Sequence, residues 1–89
     1  MKLLKFEAAW CGPCKMQSSV IKNLGKKVPI PITVIDIDEE SSLDMIKYWN
    51  VRSVPTLILI DEEDTETAKE LKRHNGFLKE SEFLKFLEK

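Results

Sequence analysis

Hydrophobic and polar positions along this chain follow two rhythms, and the changes from one to the other mark out its elements. Between Lys2 and Ala8 the apolar residues Leu4, Phe6 and Ala8 fall on one side of an extended chain and Leu3, Lys5 and Glu7 on the other, which predicts a strand. From Pro13 to about Lys27 the rhythm becomes helical. Met16, Val20, Ile21 and Leu24 form the apolar stripe, and Lys15, Gln17, Ser18, Lys22 and Asn23 fill the remaining positions. Gly25 and the lysines after it suit the end of that helix. Pro29-Ile30-Pro31 then interrupts the chain. The run Ile32-Thr33-Val34-Ile35-Asp36-Ile37, β-branched and almost wholly apolar, predicts a buried parallel strand.

Ser41 or Ser42 is placed to cap a short helix that carries Leu43, Ile46 and Trp49 inward, with Asn50 supplying the left-handed residue that ends it. Val54-Pro55-Thr56 leads into Leu57-Ile58-Leu59-Ile60, a second very apolar strand. The acidic stretch Asp61-Glu62-Glu63-Asp64 is expected to be a solvated hairpin turn. Residues 66–75, mostly polar with Ala68 and Leu71 interspersed, suit an edge strand whose lysines oppose aggregation. After Gly76, the spacing of Leu78, Phe83, Leu84, Phe86 and Leu87 predicts a C-terminal amphipathic helix. The order is β-α-β-α-β-β-α in a single domain, residues 1–89, without an internal repeat or linker.

Composition narrows the class. With 43% hydrophobic and 33% charged residues the balance is that of an ordinary globular domain, neither disordered nor membrane-embedded. Fourteen basic and fifteen acidic side chains nearly cancel, so no nucleic-acid surface or membrane attraction is expected. Lys5 and Glu7 interrupt the first leucines before a signal-peptide core could form, and the expected location is the cytoplasm. A closely spaced cysteine pair in a reducing compartment points to catalysis or metal binding rather than to a permanent staple.

Both cysteines lie in Trp10-Cys11-Gly12-Pro13-Cys14-Lys15, where the first strand gives way to the first helix. Thiols at this spacing lie about one turn apart on one face, close enough to form a disulfide without unfolding anything. Cys11 would stand at the helix N-terminus, where unpaired N–H groups and the macrodipole favour a thiolate, the attacking form of sulfur. Pro13 fits the first helical turn, and Gly12 permits a tight turn that leaves Cys11 exposed. Cys14, one turn deeper, is then the resolving thiol. The pair could also be half of a zinc site, although His74 is the one other candidate ligand of the usual kind. Trp10 is expected at the surface beside the thiols and Trp49 in the core.

Trp-Cys-Gly-Pro-Cys-Lys after a strand, Val54-Pro55-Thr56 further on, and Gly76 before the last helix together resemble the thioredoxin family. The resemblance implies an α/β fold with a four-stranded mixed sheet in the order 2-1-3-4 and helices on both faces. It implies a reductase of protein disulfides that cycles between a Cys11–Cys14 dithiol and disulfide with no bound cofactor or metal. Cys11 corresponds to the nucleophile and Cys14 to the resolving cysteine. Trp10, Gly12, Pro13, Val54, Pro55 and Gly76 correspond to the substrate-binding surface, Val54–Pro55 being a cis peptide and Gly76 keeping the groove flat. The implied partners are disulfide-containing proteins and a flavin thioredoxin reductase as electron donor, and the implied state is a monomer. Its roles would lie in electron transport and cell redox homeostasis.

The resemblance has gaps. The family's additional N-terminal strand and helix have no counterpart in these 89 residues. Ser19 stands where a proline commonly kinks the active-site helix, Lys5 where a buried aspartate is expected, and Val34 where that aspartate has a lysine partner. Two other readings therefore stay open: a glutathione-coupled glutaredoxin, and a thioredoxin-fold binding subunit in which the cysteines are incidental. Lys5 and Glu7 share a strand face about 7 Å apart, so they are expected to pair or to reach water. Glu7 is then a candidate to accept the Cys14 proton, with Lys5 as its paired cation.

Overall fold

The computed structural model describes residues 1–61 and 68–88. Its strands are β1 (Lys2–Glu7), β2 (Ile32–Asp36), β3 (Thr56–Ile60) and β4 (Glu70–Asn75); its helices are α1 (Gly12–Leu24), α2 (Leu43–Tyr48) and α3 (Glu80–Phe86). Single 3₁₀ turns at Gly25–Lys27 and Glu40–Ser42 extend α1 and precede α2. Apart from Asp61, the expected acidic turn lies outside the described residues.

The strands form one sheet in the order β2-β1-β3-β4, with β1 parallel to β2 and antiparallel to β3, and β3 antiparallel to β4. This is the mixed sheet that the resemblance implies. The alternation read in β1 sorts its side chains between two cores. Leu3 joins Leu57 and Leu59 beneath Leu24 of α1 and Phe83 of α3, while Leu4 and Phe6 join Ile35, Ile58 and Ile60 beneath Trp49. Helices α1 and α3 thus cover one face and α2 the other. Since β1 and β3 are the inner strands, all five β3 residues are buried. A fully buried Phe83 contributes about 1.5–3 kcal/mol of hydrophobic stabilisation.

Three expectations need correction. β2 is an edge strand, so Val34 is 55% exposed and Ile35 alone of its residues is buried. In α1, Met16 is exposed and Gln17 is completely buried, the reverse of the pattern reading. The docked face of that helix is set by Cys14, and the position one turn on is Gln17. In α2, Leu43 is half-exposed and Ser42 offers its helix no side-chain cap. Asn50 does adopt the left-handed conformation after α2, at φ 52°.

Candidate active site

β1 delivers the chain to the sheet's end at Glu7, and a tight turn follows in which the Cys11 N–H donates to the Ala8 carbonyl at 3.1 Å. Cys11 is extended and caps α1, its Sγ accepting the Cys14 N–H at 3.1 Å, and Pro13 occupies the first turn. The two cysteines form a disulfide with their Cα atoms 5.2 Å apart. Sulfur at a helix N-terminus faces N–H donors that stabilise developing negative charge. Contrary to the exposure expected for Cys11, both residues are buried, at 4% and 2%, because Ala8, Ile37 and Val54 pack around them.

The Val54–Pro55 peptide is cis, as expected, and its loop forms the opposite wall. Thr56 Oγ1 donates to the Ser53 carbonyl at 2.7 Å, and the Gly76 N–H donates to the Pro55 carbonyl at 2.8 Å. Gly76 has φ 106°, a conformation that side chains disfavour. Beside the disulfide runs a groove of about 220 Å³ lined by Trp10, Ile37, Ile46, Val51, Arg52, Ser53 and Val54. Trp10 is 68% exposed, and its indole N–H donates to Asp38 Oδ2 at 3.0 Å, which fixes the ring over one end of the groove.

Lys5 lies under α1 with its side chain 2% exposed. Its ammonium pairs with the Glu7 carboxylate, which is 29% exposed, and donates to Ser18 Oγ at 2.6 Å. The Ser18 hydroxyl donates in turn to the Cys14 carbonyl at 3.1 Å. A line of polar contacts therefore runs from the solvent-touching Glu7 to the backbone of the second cysteine. The expected pairing of Lys5 with Glu7 is present.

Trp10, Gly12, Pro13, Val54, Pro55 and Gly76 gather around the disulfide or on the loops that wall it. Sequence reasoning missed Ser18 and Asp38. Ser18 stands four residues after Cys14, the spacing at which a serine bonds back to a helix carbonyl, and this is the one signal that could have marked it. Asp38 carried none, because its partner is 28 residues away. His74, the further zinc candidate, lies on β4 with its ring 6.3 Å from that of Phe86.

The thioredoxin family model matches residues 1–89. The chain belongs to the thioredoxin family. It is 34% identical over 87 residues to the thioredoxin of Chlamydia trachomatis serovar D, a match spanning 98% of this chain and 79% of that relative. Thioredoxin 1 from the thermophilic eubacterium Thermosipho africanus superposes with a TM-score of 0.74 at 31% identity, covering 98% of this chain and 90% of that one. The bifunctional thioredoxin reductase/thioredoxin of Mycobacterium leprae is 37% identical over 57 residues, 64% of this chain and 12% of that protein. Thioredoxins act as protein-disulfide reductases, and this member carries the disulfide that such chemistry needs. It is a thiol–disulfide oxidoreductase acting on disulfide substrates.

Proposed function

We propose that this chain reduces protein disulfides with Cys11 as nucleophile and Cys14 as resolving thiol. The observation that carries the assignment is the placement of Cys11 Sγ as the N-cap acceptor of α1. In the reduced protein the Cys11 thiolate attacks one sulfur of the substrate disulfide; that bond breaks, a mixed disulfide forms, and the departing substrate thiolate takes a proton. Cys14 then loses its proton, attacks Cys11 Sγ and releases the second substrate thiolate. Two electrons pass from the Cys11/Cys14 pair to the substrate, and the internal disulfide seen here is the product.

Trp10, Gly12, Pro13, Val54, Pro55 and Gly76 bind the substrate in this reading. An extended segment adds beside the Val54 backbone, which gives affinity without demanding one side chain. Glu7 accepts the proton that Cys14 gives up and Lys5 holds Glu7 in place, a reading supported by the contacts that run from Glu7 through Lys5 and Ser18 to the Cys14 main-chain carbonyl and so hold the pair beneath the second cysteine. The cycle uses no metal or bound cofactor. A flavin thioredoxin reductase returns the electrons, which the fused reductase and thioredoxin of Mycobacterium leprae supports. The protein works as a monomer in the cytoplasm, away from nucleic acid and membrane, in electron transport and redox homeostasis.

The test is reduction of insulin with each cysteine replaced in turn. Cys11→Ser abolishes it, and Cys14→Ser accumulates the mixed disulfide. Insulin reduction retained by Cys11→Ser refutes these roles.

A further inference from the structure

Gln17 is fully buried, and its amide is committed to the two backbone groups of one distant residue, Leu78. Nε2 donates to the Leu78 carbonyl at 3.1 Å, and the Leu78 N–H donates to Oε1 at 2.8 Å. The side chain thus pairs with Leu78 much as a neighbouring strand would. Leu78 follows Gly76 by two residues, and the Gly76 N–H holds the Pro55 carbonyl. At the other end, Cys14 lies one helical turn before Gln17 and is buried with it. One connected path therefore runs from the disulfide through α1, across the Gln17–Leu78 pair, to the loop of Val54 and Pro55.

We infer that Gln17 is a positioning residue for disulfide exchange, holding the wall that carries the cysteines at a fixed separation from the wall that carries Val54. The inference rests on the proposed reductase reading and deepens it. A substrate strand must lie along Val54 while its sulfur lines up with Cys11, so the spacing of the two walls decides whether both can be met at once. Simple packing explains the residue poorly. An apolar side chain would fill the same volume but leave the buried Leu78 N–H and carbonyl without these partners, so what the amide adds is the tie itself.

Gln17→Met keeps the volume and removes both hydrogen bonds. With the full chain, insulin as substrate and dithiothreitol as electron source, KM is expected to rise about tenfold while kcat changes by less than about twofold. A lowered melting temperature with KM unchanged would make Gln17 a packing residue and overturn the inference. Failure of the native chain to reduce insulin would overturn the reductase reading itself, and this inference with it. Should the variant not fold, hydrogen exchange of the native chain decides: a Leu78 amide as protected as those of β3 supports the tie, and one that exchanges like an exposed loop refutes it.

Discussion

The Lys5 ammonium donates to the Ser18 hydroxyl at 2.6 Å, joining the central strand β1 to the active-site helix α1 through a buried charge. The ammonium has its counter-charge in Glu7, one strand repeat further along, and that carboxylate still touches solvent. The two partners are therefore unequal, and removing either one leaves a different remainder.

Glu7→Ala should destabilise the fold more than Lys5→Met. The first strands a buried ammonium, a loss of roughly 3–5 kcal/mol, whereas the second substitutes an unbranched apolar chain and leaves a carboxylate that can hydrate. Urea denaturation of the oxidised forms measures both. Equal losses, or a larger one for Lys5→Met, would mean that desolvation of the ammonium does not dominate this pair.

Glu7→Gln should slow resolution of the mixed disulfide near neutral pH by about tenfold or more, with attack by Cys11 little changed, because only the second step needs a base for the Cys14 proton. Single-turnover kinetics separate the two steps. Unaltered resolution would leave Lys5 and Glu7 as a structural pair.

Phe83→Ala should cost about 3–5 kcal/mol through the cavity it opens between α3 and the sheet, whereas Met16→Ala should stay within about 0.5 kcal/mol. Melting of the two variants checks the contrast. A large loss at Met16 would place that side chain in the core, against its 55% exposure.

Local chemistry and short-range period were enough to read the order of the elements, the two faces of β1, the cysteine pair at a helix start and the left-handed Asn50 after α2. Each depends on residues within a few positions of one another, so the chain states it directly. The resemblance carried the sheet order and the cis bond before Pro55, which no local pattern of this chain would have disclosed.

What tertiary structure decided is which of several compatible faces meets a neighbour. A helical period allows a stripe through Met16 as readily as one through Gln17, and only the docking of α1 against the sheet and the Leu78 segment selects the second. Val34 sits in a β-branched run only a little less apolar than β3, yet β2 ends the sheet on one side and leaves it in water. Lys5 reads as a misplaced charge until Glu7 and Ser18 close around it, and Trp10 finds Asp38 only because parallel pairing of β1 with β2 brings the two strand ends together. Sequence period fixes how side chains are distributed around an element, whereas burial and partnership depend on contacts between elements far apart in the chain, which exist only once the sheet has formed.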